Sequence, residues 1–179
     1  MTINNYNFWK KTINFKVRKS NNTKSNKTNH GNKEKYISWN KPPPGYYKLN
    51  FDGSFKNGNA NIGSIIRNNK GEIIDIYNLQ TNEGSALLVE ARALLEGIIR
   101  ASGRGITNHM IEGDGLTIIN AIKDIWKPPW EIQSMIEDMK IILQSFNSVE
   151  IYHCYREGNQ AADFLARNNC NLSCNLSEP

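Results

Sequence analysis

The sequence predicts an α/β fold: a five-stranded mixed sheet, with a three-strand antiparallel meander followed by parallel strands, flanked by helices in the order βββαβααβα. Three observations lead there. Residues 47–55 alternate, with Tyr47, Leu49, Phe51 and Phe55 set against Lys48, Asn50, Asp52 and Ser54. That period of two marks a strand with one buried face. From Ser85 the period lengthens: Leu87, Leu88, Ala91, Leu94, Leu95, Ile98 and Ile99 recur at three and four, the stripe of an amphipathic helix. Two more short strand-like runs follow, each leading into a helical segment, and connections of that kind build a sheet covered by helices.

In chain order, residues 1–37 are rich in Asn, Lys, Thr and Ser and lack sustained periodicity, so they read as a disordered basic arm. Phe8, Trp9 and Phe15 beside lysines would form a short amphipathic patch there. Residues 38–45 read as a stiff linker, because Pro42, Pro43 and Pro44 each fix φ. The folded domain is expected over 46–168. Its first strand is the 47–55 run, and Ile62 to Arg67 is the second. Asn68-Asn69-Lys70-Gly71 is a hairpin turn with Gly71 at positive φ, and Glu72 to Leu79 is the third strand. The helix from Ser85 stops at Gly103 and Gly105. His109 to Glu112 is the fourth strand, starting near Ile106. A helix over Leu116 to Ile125 is broken by Pro128-Pro129, and another runs from Trp130 to Phe146. Val149 to Tyr155 is the fifth strand, Gln160 to Arg167 the last helix, and 169–179 a polar tail.

The net charge of +5 conceals an asymmetry. Residues 1–48 hold 11 Lys and Arg against one acid, Glu34, whereas residues 49–179 hold 11 against 16. A basic arm on an acidic body suits a polyanion partner for the arm, or a targeting segment. The dearth of acids fits an organellar transit peptide, although Arg18 is the arm's one arginine. The expected location is nucleus or cytoplasm, or mitochondrion or plastid if the arm is a transit peptide. No apolar run approaches a membrane span, and no secretory-type apolar core is expected at the N-terminus. Three cysteines, Cys154, Cys170 and Cys174, do not suggest a disulfide framework, and the tail pair lacks the further ligands of a closed zinc site.

Four acids sit at unusual places. Asp52 lies in mid-strand beside Gly53, where Asp is disfavoured and Gly weakens the strand unless another group comes close. Glu90 lies at the edge of the apolar stripe of the first helix. Asp114 stands between two glycines after the fourth strand, and Asp163 lies early in the last helix. Each has an ordinary reading alone. Together they fall where sheet and helices would converge, and carboxylates so gathered repel unless cations sit among them. Oxygen donors alone select hard ions, Mg²⁺ or Mn²⁺. Two such ions about 4 Å apart activate water and stabilise the leaving oxygen of a phosphodiester.

The motifs K-L-N-F-D-G-S (48–54), I-I-R-N-N-K-G-E-I (65–73), V-E-A-R-A-L-L-E-G-I (89–98), I-E-G-D-G-L-T-I-I-N-A-I (111–122) and Y-R-E-G-N-Q-A-A-D-F-L-A (155–166) resemble those of type 1 ribonuclease H domains. The resemblance covers residues 46–168. It is strongest to the plant branch related to the ribonuclease H domains of non-LTR retroelement reverse transcriptases, and the W-x-x-P-P-x-G segment (39–45) also looks like what precedes the domain there. It implies hydrolysis of the RNA strand of an RNA/DNA hybrid by two Mg²⁺ ions, with Mn²⁺ as substitute, and a product with a 5′-phosphate and a 3′-hydroxyl. Asp52 would bridge both ions, Glu90 and Asp114 would hold the one nearer the leaving group, and Asp163 the one that activates water.

The chain departs from the family pattern in two places. Many members carry a His on a loop before the last helix for proton transfer or product release. Here His153 has the linear spacing but falls in the fifth strand, and Glu157 is nearer the expected position. The basic helix of some bacterial members is replaced by the turn Lys127-Pro128-Pro129-Trp130, for which the basic arm would compensate by neutralising phosphate. Hybrid recognition is expected through shape and 2′-hydroxyls, with Gly53, Ser54, Asn61 and Asn82 as candidate contacts. His109 reads as structural. A monomer is expected. The alternative reading is a catalytically silent nucleic-acid-binding domain of this fold derived from a retroelement.

Overall fold

The computed structural model describes residues 39–168 and the backbone of 173–175. The arm over 1–37 and the cysteine Cys170 lie outside the described residues. The strands are β1 (Tyr47–Lys56), β2 (Asn59–Arg67), β3 (Ile73–Thr81), β4 (Asn108–Gly113), β5 (Ser148–His153) and β6 (Ser173–Asn175). The helices are α1 (Ala86–Gly103), α2 (Leu116–Ile122), α3 (Gln133–Leu143) and α4 (Gln160–Arg167). The sheet order is β5-β4-β1-β2-β3-β6. β1, β2 and β3 form the antiparallel meander, while β4 joins β1 and β5 joins β4 in parallel. The five expected strands and the element order are therefore present. A sixth strand, three residues long, lies in the stretch read as polar tail. It pairs with Asp75, Ile76 and Tyr77, and main-chain pairing of that kind leaves no side-chain pattern to read.

Element ends differ from expectation for local reasons. β2 begins at Asn59, not Ile62, because Asn57 and Gly58 both take positive φ (52° and 76°) and close a two-residue hairpin between Lys56 and Asn59. The turn after β2 is as expected: Gly71 has φ 86°, and the Asn68 side chain accepts from the backbone of Lys70 and Glu72. α2 ends three residues early, where Asp124 takes φ 57°. Trp130–Ile132 is a 3₁₀ turn leading into α3, which stops at Leu143. β5 ends at His153, and Arg156–Gly158 forms a 3₁₀ turn before α4.

Both faces of β1 are buried, which corrects the expectation of one. The odd positions Leu49 and Phe51 join Ile62, Ile66, Val89, Leu94, Ile98 and Ile111 in the main core under α1 and α3. The even positions Lys48, Asn50 and Asp52 are also buried, on the face covered by α4. The apolar part of that second layer is small: Ile65, Ile76, Ala161 and Leu165. Polar groups fill the rest. Arg67, 1% exposed, donates Nη2 to Asn50 Oδ1 at 2.7 Å and lies under the Trp39 ring at 3.6 Å. Lys48 is paired with Glu112. Alternation thus reports polarity, and on this face Lys48, Asn50 and Arg67 are buried with polar partners, while Arg67 Nε has none.

Two glycines set how closely the helices approach. A Cβ on Gly53 would lie 2.6 Å from Glu90 N on α1, and one on Gly63 would lie 2.5 Å from Ala166 N on α4. Gly63 is paired directly with Asp52, so α4 seats itself beside that acid. Gly63→Ala should push α4 off the sheet and cost about 1–3 kcal/mol of stability, the range for overpacking. Gly84→Ala, whose Cβ would meet nothing within 4 Å, should be near neutral. Urea denaturation of both variants checks the pair.

Candidate active site

Three acids from three elements converge. Asp52 comes from the middle of β1, Glu90 from the first half of α1, and Asp114 from the turn between β4 and α2. One carboxylate oxygen from each lies within 4.8 Å of the others. Gly53 allows the α1 backbone to rest on β1 at Glu90, and Gly115 leaves room for the Glu90 carboxylate, which a Cβ there would meet. The oddity of a glycine in mid-strand thus has its cause in the approach of a helix.

The gathering is electrostatically strained. Burial first, then Asp114, Asp163 and Glu90, push the Asp52 carboxyl up to about 8. Burial and Asp114 push Glu90 up to about 7. Arg156 pulls both the other way. An all-oxygen donor set in which burial and neighbouring acids favour protonation of Asp52 and Glu90 fits a hard divalent cation, which would relieve the repulsion.

Asp163 is placed differently. It sits in the first turn of α4, close enough to raise Asp52, but its Oδ1 accepts from Arg156 at 2.6 and 3.1 Å and is paired with Arg167 Nε at 3.0 Å. Three of the four predicted acids form the cluster, and the fourth is engaged by two guanidinium groups beside it. Sequence reading passed over both arginines. Arg167 follows Asp163 by four residues on a helix, a spacing that announces an ion pair. Arg156 carries no such local sign, because a 3₁₀ turn delivers it.

Asn159 was also passed over. It precedes α4 as a capping residue would, yet its side chain makes no cap. Its amide nitrogen donates to Asp114 Oδ1 at 3.1 Å and to the Phe51 carbonyl at 2.8 Å. An open groove of about 750 Å³ adjoins the acids and is lined by Asp52, Gly53, Ser54, Asn61, Arg156 and Arg167, among others. Of the expected contacts, Gly53, Ser54 and Asn61 line it. Asn82 is exposed on the connection from β3 to α1 and is not part of that lining. His153 is the exposed last residue of β5, its ring edge-on to Tyr155 with centroids 6.0 Å apart. Glu157 lies in the 3₁₀ turn. His109 is buried and neutral, held down to about 4 by burial, and its ring meets Phe146.

A family described as reverse transcriptase-like has a model that matches residues 50–169. The chain belongs to that family. Its fold is that of ribonuclease H. A protein of Arabidopsis thaliana that carries the name of a ribonuclease H protein is 28% identical over 142 residues, which is 78% of this chain and 23% of the relative. The chain therefore spans about a quarter of the length of the curated relative it matches. Among solved structures, the ribonuclease H1 of the halophilic archaeon Halobacterium salinarum superposes with a TM-score of 0.65 at 20% identity, over 68% of this chain and 95% of that one. LC11 ribonuclease H1 in complex with an RNA/DNA hybrid gives 0.62 at 18%, over 66% and 92%. The foamy viral protease-reverse transcriptase in complex with an RNA/DNA hybrid gives 0.56 at 15%, over 82% and 22%. At these identities the likeness is one of fold. Among the described residues of this ribonuclease H-like domain, no helix is long and apolar enough to cross a membrane.

The raised carboxyls have a consequence for stability. Asp52 keeps its proton in the fold to about pH 8 and Glu90 to about 7, against 3.8 and 4.5 when unfolded, so the folded state binds more protons in between and stability falls as pH rises. His109 acts oppositely, and only between its depressed value of about 4 and its ordinary 6.5. Between pH 6.5 and 8 the shifts that act among the described residues are those of these two carboxyls. The Tm of metal-free protein should fall across that window, Asp52→Asn should raise it at pH 8 and flatten the profile, and Mg²⁺ should do the same for the wild type. A flat metal-free wild-type profile would refute the strained cluster.

Proposed function

We propose that this domain is a divalent-metal-dependent endonuclease that hydrolyses the RNA strand of RNA/DNA hybrids. The observation that carries the reading is the convergence of Asp52, Glu90 and Asp114 within 4.8 Å at the side of an open groove. Membership of the family and structural relatives solved with an RNA/DNA hybrid support the substrate class.

The three acids would hold Mg²⁺, with Mn²⁺ as substitute, and Asp163 would complete the site on leaving its arginines. Bound there, the metal supplies Lewis acidity to water and to the phosphodiester oxygens. The chain's own residues do the rest. Asp52 is fixed on a central strand and Glu90 on a packed helix, so the donors are arranged before any ligand arrives. Arg156 and Arg167 present positive charge along a groove otherwise acidic at its inner end, which suits a phosphate backbone. Gly53, Ser54 and Asn61 border the same groove and are the candidates for contact with sugar and phosphate. His153 and Glu157, near the start of α4, are the candidates for proton transfer or product release.

One observation favours a second reading, a domain that binds hybrid without cutting it. Asp163 is neutralised by two arginines, and a permanent pairing would leave the acid set at three. Cleavage of a labelled RNA/DNA hybrid in Mg²⁺ and Mn²⁺, beside single-stranded RNA, duplex RNA and DNA, separates the two. Loss of a partner of a metal ligand costs about 10–100-fold, so loss of the ligand in Asp114→Asn should reduce hybrid cleavage by more than about 100-fold with binding retained. Hybrid binding without wild-type cleavage in either metal would favour the silent domain.

A further inference from the structure

The segment before β1 reaches the acid cluster through a line of hydrogen bonds. Trp39 Nε1 donates to Asn50 Oδ1 at 2.9 Å, and Arg67 Nη2 donates to the same oxygen at 2.7 Å. Asn50 Nδ2 then donates to Asn159 Oδ1 at 3.2 Å, and Asn159 Nδ2 donates to Asp114 Oδ1 at 3.1 Å. Asn50 is wholly buried and Asn159 is 1% exposed, so water does not compete for these groups.

The direction of this line is not arbitrary. An indole N–H and a guanidinium can only donate. Facing both, Asn50 must turn its oxygen toward them, because the flipped amide would set donor against donor in a buried place, at the cost of an unsatisfied group. Its nitrogen is thereby aimed at Asn159, whose oxygen must accept. The nitrogen of Asn159 is left for Asp114, and the Phe51 carbonyl, an acceptor, favours the same choice. We propose that Trp39 and Arg67 are positioning residues for Asp114: two donor-only groups at one end set the polarity of two amides, and the line ends in an N–H that holds the Asp114 carboxylate toward Asp52 and Glu90. The stretch expected to be a linker is, at Trp39, part of the site. Trp39 also stacks on the Arg67 guanidinium at 3.6 Å, closing that buried cation from solvent. This inference deepens the proposed function and rests on that reading.

Two full-length variants test it. Asn50→Asp keeps acceptors for Trp39 and Arg67 and removes the donor toward Asn159. Trp39→Phe keeps a ring over Arg67 and removes one of the two donors. Side-chain amide exchange of Asn159, followed by ¹H–¹⁵N NMR on metal-free protein, reads the line without any activity. Exchange should quicken about tenfold or more in Asn50→Asp, and in the same direction but less in Trp39→Phe. The midpoint for Mn²⁺ stabilisation should weaken about 10–100-fold in Asn50→Asp. In hybrid cleavage, kcat should fall with KM unchanged, since Asn50 is buried away from the groove. Unchanged Asn159 exchange in both folded variants would overturn the relay. Quickened exchange with an unchanged Mn²⁺ midpoint would overturn its role in placing Asp114. If the wild type neither responds to Mn²⁺ nor cuts hybrid, the proposed function fails separately, while amide exchange still decides the relay. If Asn50→Asp does not fold, Trp39→Phe carries the same decision.

Discussion

Repulsion among Asp52, Glu90 and Asp114 is the constraint around which the domain is arranged. Burial and like charges within 4.8 Å raise the proton affinity of Asp52 and Glu90 and oppose folding of the ionised form. A fold that keeps such a cluster must hold each member on a backbone that cannot move away. β1 has partners on both sides, α1 lies against it at Gly53, and Asp114 stands in a turn tied down by Asn159. Stability lost at the cluster is offset by a large apolar core under α1 and α3.

The two faces of the sheet divide the work. One face carries the apolar residues that stabilise the domain. The other carries buried polar groups, Lys48, Asn50, Asp52 and Arg67, under α4 and Trp39. Buried polar groups stabilise little, but once fully partnered they admit few alternative arrangements. That suits a region that must aim carboxylates, and it sets cations close by: Arg67 bonds to Asn50, and Arg156 and Arg167 pair directly with Asp163. The groove beside them inherits positive charge at its rim and negative charge at its inner end.

Much of this was legible in the chain. Two periodicities gave the order of strands and helices, since exposure on one side imposes a period of two on a strand and 3.6 on a helix. The four acids stood out because each occupied a place its residue type disfavours or does not need. The motif order around them led to the family that the match over residues 50–169 shows. Element ends were less legible where backbone conformation decides them, as at Asn57-Gly58 and Asp124. β6 was not legible at all, because edge pairing through the main chain asks little of side chains.

By itself, then, the sequence determined the fold class and the element order and singled out four acids as candidates, all of which depend on local pattern and residue chemistry. Only the tertiary structure decided that three acids cluster while Asp163 pairs with Arg156 and Arg167, that the polar face of β1 is buried, and that Trp39 is joined to Asp114 through Asn50 and Asn159. The reason is physical. Distances and hydrogen-bond directions between residues 39, 50, 114 and 159 are set by how helices seat on the sheet, and that seating is a property of packing that no local stretch of sequence contains.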